Sequence, residues 1–322
     1  MTNSVKVTVI CLCHNQAPYV QEAIQSVVDQ TYRPIELIIV DDASHDGSVE
    51  KICQILPQLP TNIELKVLFW RAHVGNCKAF NKALQMATGK YVIDLAADDL
   101  LLPERIAQQV KIFENAPEEV GVVFSDAWIG DAQARPLYTF YRRNAQGKLI
   151  EQVPSGDVYC QILERYCICA PTMMMRRSVL AALGGYDETL VYEDYDFWVR
   201  SARKWKYIFL DQITTIKRKV PRSHGDKIYQ WGFSPYRYST LQVCRKAILL
   251  NRTPQENEAL ARMISYQMRL CLRHFDFDNL EAFYRLLSST RSVKITDWLI
   301  ALPALVKKVF KKNNRCKPKA QI

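Results

Sequence analysis

The amino-acid sequence predicts an α/β fold with a mostly parallel sheet and flanking helices, followed by a helical C-terminal extension. Short apolar runs alternate with amphipathic stretches along the first 124 residues, and pairs of carboxylates follow two of the runs. Such alternation is typical of a parallel sheet that helices cover. Beyond residue 239 the apolar spacing is helical to the end of the chain.

The individual elements follow from apolar runs and from start and stop signals. Strands are predicted at residues 5–11, 37–40, 65–69, 91–95 and 120–124, and helices at 19–28, 49–56, 76–87 and 104–115. Gly89 follows one helix and Pro103 begins another, as is usual at helix ends. Further on, we expect a loop or short hairpin at 138–152, a strand at 172–175, a helix at 192–203 and strands at 207–210 and 214–217. Residues 221–235 are rich in turn formers and predict a mobile loop over a site.

The composition is that of a soluble globular protein, with 48% hydrophobic and 24% charged residues in a chain of 322. No apolar run approaches the roughly 18 residues that span a bilayer, and the N-terminus lacks the pattern of a signal peptide. The 10 cysteines show no paired Cys-x-x-Cys spacing, which argues against zinc and for reduced thiols. We therefore expect a cytoplasmic protein.

The net charge of +10 is concentrated at the C-terminus, where no acidic residue follows Asp297. The basic residues there are Lys307, Lys308, Lys311, Lys312, Arg315, Lys317 and Lys319. An apolar stripe at helical spacing is formed by Trp298, Leu302, Leu305 and Val309. Such a helix suits an anionic membrane surface, although Pro303 is expected to interrupt it. The alternative is a helix packed on its own domain, followed by a basic tail. Nucleic acid is not expected as a partner, because basic and aromatic residues do not interleave.

Two carboxylates, Asp41 and Asp42, stand where the second predicted strand ends. In open parallel sheets, ligands bind in the crevice outside the carboxyl ends of the strands. Adjacent carboxylates there suit hydrogen bonding to a nucleoside and, with other acids, holding a divalent cation. No Gly-x-Gly-x-x-Gly follows the first strand, which argues against a dinucleotide site.

The chain resembles the family 2 glycosyltransferases, which use nucleotide-sugar donors. The resemblance is carried by Asp29-Gln30-Thr31-Tyr32 at the end of the first helix and by Asp41-Asp42-Ala43-Ser44-His45-Asp46-Gly47-Ser48 after the second strand. It implies an inverting mechanism, a nucleotide-sugar donor, most commonly a UDP-sugar, and a divalent cation, Mn²⁺ or Mg²⁺. It also implies a GT-A domain over residues 1–238, with a nucleotide-binding part at 1–124 and an acceptor part at 125–238. The helical extension would then occupy 239–322.

Asp98 and Asp99 follow the predicted strand at 91–95. The resemblance implies that both contact the donor, with Asp98 as the main metal ligand and Asp99 in support. A cation on carboxylate oxygens neutralises a diphosphate leaving group as the glycosidic bond breaks. The family usually has an acid where Ala96 stands, so one expected carboxylate is missing. From local sequence alone, the pair could equally cap the helix that begins near Pro103.

Glu193 and Asp194 fall at the start of the predicted helix 192–203. The resemblance implies that Asp194 is the catalytic base, with Glu193 beside it in the catalytic site. An inverting displacement needs a base, because the acceptor hydroxyl loses its proton as it attacks the anomeric carbon. The alternative is a pair of capping carboxylates stabilised by the helix dipole.

The resemblance places the remaining donor-binding residues on the loops around the nucleotide. They are Cys13, Asn15, Asp41, Asp42, Arg71, Gly75 and Asn81. A guanidinium suits a phosphate oxygen, although Arg71 could equally be a solvated loop residue. Gly75 precedes a helix whose N-terminus can face phosphate. His224, on the loop after the last strand, is the further metal ligand that the resemblance implies; a surface histidine is the alternative.

The sequence therefore predicts a hexosyltransferase that moves a sugar to a glycan or lipid-linked acceptor, in surface polysaccharide synthesis. A sugar nucleotidyltransferase on a similar fold is one alternative, but its Gly-rich loop is absent, since Cys13-His14-Asn15-Gln16 contains no Gly. A non-catalytic nucleotide- or glycan-binding protein is the other, because Ala96 removes an acid.

Overall fold

The computed structural model describes residues 4–220 and 227–315, the last nine as backbone alone. The chain forms two compact units. The first comprises Met1–Val158 and Cys167–Pro221, and the second comprises Tyr159–Tyr166 and Arg222–Ile322. The domain boundary predicted at residue 238 stays a prediction.

The strands and helices of the described residues are named here in chain order. The strands are β1 Val7–Cys13, β2 Ile35–Asp41, β3 Ile63–Phe69, β4 Tyr91–Ala96, β5 Leu100–Leu101, β6 Val120–Gly130, β7 Pro136–Thr139, β8 Met174–Arg176 and β9 Lys206–Arg218. The helices are α1 Val20–Val28, α2 Ser48–Ile55, α3 Asn76–Met86, α4 Arg105–Asn115, α5 Tyr159–Glu164, α6 Arg177–Ala182, α7 Asp194–Ala202, α8 Pro235–Leu250, α9 Pro254–Arg273, α10 Phe277–Leu287 and α11 Ile295–Arg315.

The nine strands form one sheet, which confirms the predicted α/β class. Its order is β3-β2-β1-β4-β8-β6-β9-β5, with β7 paired to β6. β1 pairs in parallel with both β2 and β4, so the strand order reverses around β1. Cys13 lies opposite Asp41, and Leu12 lies opposite Ala96. The ends of these strands therefore meet at one edge of the sheet, which is the usual position of a ligand crevice.

The region after β4 contains the main departures from the predicted elements. A single strand, β9, replaces the two strands expected at 207–210 and 214–217. Its register against β6 shifts between Ser125 and Asp126. The polar residues Asp211 and Gln212 have no partner on β6 there, and the strand continues beyond them. The predicted loop at 138–152 is a short hairpin closed by a bridge between Arg143 and Leu149.

The second unit is helical, as predicted, and α11 runs unbroken through Pro303. The expected interruption there is therefore wrong. A proline removes one helical hydrogen bond, but Ala301 and Ala304 on either side of it are buried, and this packing supports the helix. No helix in the described part of the chain is long and apolar enough to cross a membrane.

Glu36 on β2 is fully buried within the sheet. Its carboxylate accepts hydrogen bonds from Thr8 Oγ1 at 2.5 Å, Lys66 Nζ at 2.5 Å, Thr88 N at 2.8 Å and Thr88 Oγ1 at 3.0 Å. Burial acts to raise the pKa of Glu36, but these donors outweigh it and lower the pKa to about 2. The carboxylate therefore joins β1, β2, β3 and the loop before β4.

Glu36→Gln is expected to destabilise the protein by about 2–3 kcal/mol at pH 7, because the amide replaces one acceptor oxygen with a donor. The folded pKa lies below the ordinary value of 4.5. The stabilisation is thus complete above about pH 4.5 and is lost as the pH falls towards 2. Urea unfolding of both proteins at several pH values measures this.

Glu64→Gln is the matched control, because Glu64 lies on the neighbouring strand and its side chain is 43% exposed. Exposed ion pairs contribute less than about 1 kcal/mol. Equal losses of stability in the two variants would show that Glu36 is not the buried link described above.

Candidate active site

The carboxyl end of β2 presents two acids, Asp41 and Asp42, that differ in how fully their oxygens are hydrogen-bonded. The Asp42 carboxylate accepts hydrogen bonds from Val74 N at 2.8 Å and Gly75 N at 2.9 Å, and it lies 2.9 Å from His73 Nδ1. Asp41 Oδ1 accepts from Ser44 N at 2.9 Å, whereas Asp41 Oδ2 is buried and has no hydrogen-bond partner among the described residues. Asp42 therefore holds the loop before α3, while Asp41 keeps a buried acceptor oxygen without a partner among the described residues.

Cys13 and Asn15 shape the turn around Asp41. The Cys13 carbonyl accepts the Asp42 N–H at 2.9 Å, and burial raises the pKa of the Cys13 thiol to about 12. Asn15 has a φ of 54°, a backbone conformation that Asn tolerates better than most residues. Its side-chain oxygen accepts from His45 N at 2.8 Å, and its own N–H donates to Ser44 Oγ at 2.8 Å.

Two histidines flank Asp42, and the sequence did not predict them as site residues. The rings of His14 and His73 lie 4.1 Å apart, and His14 Nδ1 lies 2.7 Å from the Asp42 carbonyl oxygen. Potential ligand atoms of His14, Asp42 and His73 lie within 4.8 Å of one another. A cation there would compete with two backbone N–H donors for the Asp42 carboxylate, so the geometry favours a role in holding the loop.

Of the other donor-side residues, Arg71 is exposed on the loop between β3 and α3. Gly75 precedes α3 with a φ of 88°, and Asp42 takes its N–H. Asn81 donates to the Tyr186 carbonyl at 2.8 Å and accepts the Tyr186 N–H at 2.8 Å. The Asn81 amide thus holds the backbone of Tyr186 through two hydrogen bonds. Its contact with a nucleotide-sugar donor stays a prediction. His224 lies outside the described residues.

The turn after β4 separates the roles of Asp98 and Asp99. Asp99 is buried, and its Oδ1 accepts the Arg218 N–H at 3.0 Å. The Arg218 guanidinium donates to the Asp98 carbonyl at 3.0 Å and pairs with Glu22. Burial, followed by the charge of Asp98, raises the pKa of Asp99 to about 8. Asp99 therefore organises the turn, while the half-buried Asp98 carboxylate is the one available to a ligand.

A second acidic group forms where α7 begins. Glu193 Oε2 accepts from Asn76 Nδ2 at 2.5 Å, Asp194 Oδ1 accepts from Tyr195 N at 2.6 Å, and Asp94 Oδ2 accepts from Tyr186 Oη at 3.1 Å. Burial is the main cause that raises the pKa of Asp94 to about 7, of Glu193 to about 8 and of Asp194 to about 6. Neighbouring acids add to the shift at Glu193. Three close carboxyl groups thus hold fewer than three charges at neutral pH.

Lys217 lies near the end of β9, and its charge affects both acidic groups: the Asp98–Asp99 turn and the carboxyls at the start of α7. Its positive charge acts to lower the pKa values of Asp98, Asp99 and Asp194 against the effect of burial. Sequence reasoning missed Lys217, as it missed Asp94. A signal was present, because Lys217 ends a predicted strand that joins the same sheet, but its proximity to α7 depends on the sheet order.

The sheet edge thus carries an open acceptor at Asp41, an available carboxylate at Asp98 and a partly protonated acidic group beside Asp194. This arrangement can bind a polar ligand with an anionic group near Lys217 and can remove a proton from a second ligand.

Known proteins share this sequence pattern. The family model described as Glycosyl transferase family 2 matches residues 8–184. An uncharacterized glycosyltransferase of Methanocaldococcus jannaschii, MJ1057, is 28% identical over 220 residues, which cover 67% of this chain and 71% of the relative. An uncharacterized glycosyltransferase of Nostoc sp., alr2836, is 33% identical over 226 residues, or 68% of this chain and 65% of the relative.

Solved structures share the fold. The chain is similar to S. aureus TarS 1-349 in complex with UDP, with a TM-score of 0.66 at 15% identity over 96% of this chain and 92% of that one. It is also similar to the mannosyltransferase PcManGT from Pyrobaculum calidifontis in complex with GDP-Man and Mn²⁺, with a TM-score of 0.60 at 18% identity over 98% and 82% of the two chains. These likenesses confirm the predicted GT-A fold. Since the family model spans more than half of the sequence, the chain belongs to glycosyl transferase family 2 and is a glycosyltransferase.

Proposed function

We propose that this glycosyltransferase is an inverting enzyme that moves a sugar from a nucleoside-diphosphate sugar to a hydroxyl of a glycan or lipid-linked acceptor. The observation that carries the proposal is geometric: β1, β2 and β4 end at one edge of the sheet, where the buried Oδ2 of Asp41 has no hydrogen-bond partner among the described residues. The charge of Lys217 supports it. Lys217 acts on Asp98, at the predicted donor side, and on Asp194, at the predicted acceptor side. A donor diphosphate near Lys217 would therefore lie beside the group that activates the acceptor.

The donor would be a UDP-sugar held with its base near Asp41. The buried Oδ2 of Asp41 needs a hydrogen-bond donor, and the N–H of a uracil ring is one. TarS has been solved in complex with UDP-GlcNAc, and PcManGT in complex with GDP-Man and Mn²⁺. The same edge of the sheet would thus receive the nucleotide here.

The Asp98 carboxylate fits a divalent cation, although the protein offers few metal ligands. Asp99 is bound to the backbone of Arg218, and residue 96 is alanine, so Asp98 would be the main protein ligand. When bound, the cation would neutralise charge on the leaving diphosphate. The Lys217 ammonium would add a positive charge that needs no metal.

Asp194 would accept the proton of the acceptor hydroxyl. With a pKa of about 6 it is ionised at neutral pH and is more basic than an ordinary carboxylate. Glu193, with a pKa of about 8, stays mostly protonated, so it reduces the negative charge beside the base. The acceptor oxygen forms its bond to the anomeric carbon as the bond to the diphosphate oxygen breaks, and the proton passes to Asp194.

Asp194→Asn should lower kcat by about 10² to 10⁴-fold, the usual contribution of a general base, and should leave the donor KM within a few-fold of wild type. In the wild type, kcat/KM should fall as the pH drops below about 6, because Asp194 then carries a proton. Transfer assays across pH measure both. Glu118→Gln, an exposed acid between α4 and β6, is the control and should change neither quantity. Unchanged turnover in Asp194→Asn would remove Asp194 from the mechanism.

Asp98→Ala should abolish the gain in donor affinity that Mn²⁺ provides, because the chain then offers no main ligand. Calorimetric titration of UDP-sugar with and without Mn²⁺ measures this. Lys217→Gln is the comparison: it should weaken donor binding but keep the effect of Mn²⁺. A Mn²⁺ effect that persists in Asp98→Ala would contradict the assignment.

Glu193→Gln should stabilise the protein at high pH, because the amide can keep the bond from Asn76 without a charge at this partly buried position. The folded pKa of Glu193, about 8, lies above the ordinary 4.5, so the wild type loses stability as the pH rises between these values. The variant should gain about 1–2 kcal/mol at pH above 8 and little near pH 5. Urea unfolding at the two pH values tests this. A gain that does not depend on pH would show that Glu193 carries no raised pKa.

A further inference from the structure

The second unit exposes a group of aromatic side chains that the transferase chemistry does not use. We name Tyr229, Trp231, Tyr266 and Phe275 the aromatic platform. Trp231 is 72% exposed, Phe275 56%, Tyr229 54% and Tyr266 44%. The Trp231 and Phe275 rings stack with centroids 5.3 Å apart and planes inclined by 18°. Exposed apolar surface of this kind usually marks an interaction site.

A buried ion pair holds the platform in place. Arg237 and Asp276 have no exposed side-chain surface and lie 2.8 Å apart. The Arg237 guanidinium donates to the carbonyls of Ile228 at 2.6 Å, Gln230 at 3.1 Å and Gly232 at 2.5 Å. These carbonyls alternate with Tyr229 and Trp231 along the loop before α8. The fold thus fixes the backbone that bears the two rings and leaves the rings exposed.

A cationic pocket adjoins the rings. Its volume is about 490 Å³, and its lining consists of Tyr229, Tyr266, Arg269, Leu270, Arg273 and His274. None of these described lining residues is a carboxylate. Arg269 and Arg273 are exposed, and neither forms an ion pair with a carboxylate in the described part of the chain. Guanidinium groups without acidic partners suit phosphate oxygens.

The charge of the whole region favours an anionic partner. Residues 222–322 contain 19 Lys and Arg against 7 Asp and Glu, a formal net charge of +12. The complete chain carries +10, so residues 1–221 carry −2. Seven of these positive charges lie at residues 307–319, and residues 222–306, which bear the platform, still carry a net charge of +5.

We infer that the aromatic platform docks the protein on an anionic lipid bilayer. The rings of Trp231 and Phe275 enter the boundary between headgroups and acyl chains, where aromatic residues are favoured. Arg269 and Arg273 bind lipid phosphates beside them. A sugar-binding platform fits less well, because none of the described lining residues is a carboxylate that could accept hydroxyl hydrogens. This inference does not depend on the proposed transferase mechanism.

Sedimentation of the full-length protein with vesicles tests the inference, using phosphatidylcholine alone or with phosphatidylglycerol. Wild type should bind the anionic vesicles, and salt near 1 M should weaken binding by screening. Trp231→Ser should weaken binding about tenfold or more through lost apolar burial. The double variant Arg269→Gln, Arg273→Gln should weaken it about 10- to 30-fold.

The matched controls are Leu249→Ser and Arg245→Gln, which remove an exposed apolar side chain and an exposed charge elsewhere in the same unit. Both should bind as wild type, and Trp231→Phe should retain most binding. Thermal unfolding shows that each variant is folded. Wild-type binding in Trp231→Ser and in the double arginine variant would overturn the inference. A loss of binding in the double variant Lys307→Gln, Lys308→Gln, with normal binding in the platform variants, would also overturn it. Displacement of the vesicles by a soluble oligosaccharide would do the same.

Discussion

The parallel register of β1 with β2 and β4 is the constraint on which the site depends. Because Cys13 lies opposite Asp41 and Leu12 lies opposite Ala96, three strands end at the same level. Backbone hydrogen bonds from Asp42 N to Cys13 O and from Ala97 N to Leu12 O extend the ladder one residue into each loop. The acids that follow β2 and β4 therefore emerge together, although distant parts of the sequence supply them. A shift of one residue would turn alternate side chains to the opposite face.

The balance between burial and hydrogen-bond donors then decides what each acid can do. Glu36 receives bonds from Thr8, Lys66 and Thr88, which lower its pKa to about 2 and make it a permanent structural anion. Glu193 is half-buried, with Asn76 as its hydrogen-bond donor and acids as neighbours, and its pKa rises to about 8. A glutamate carboxyl thus stays ionised at one position and titrates near neutral pH at the other. Titratable carboxyls near neutral pH are typical of sites that transfer protons.

The second unit uses a buried charge for a different purpose. Taking Arg237 and Asp276 out of water is costly, and their attraction alone does not reliably offset that cost. The three carbonyl bonds of Arg237 complete the guanidinium's hydrogen bonding and, in doing so, specify the loop that bears Trp231. A polar interaction in the interior thus determines which apolar groups stay at the surface.

The sequence by itself determined the alternation of strands and helices, the family, and the positions of acids such as Asp41 and Asp42 at strand ends. These are local properties, since apolar period and turn-forming residues act within a few positions of the chain. Only the tertiary structure decided that Asp42 is bound to the loop before α3 while Asp41 keeps a buried oxygen open. It likewise brought Asp94 against the Tyr186 hydroxyl and put the charge of Lys217 within electrostatic reach of Asp98 and Asp194. The donors and charges that reach a carboxylate come from segments far away in sequence, and its pKa depends on how completely those segments exclude water.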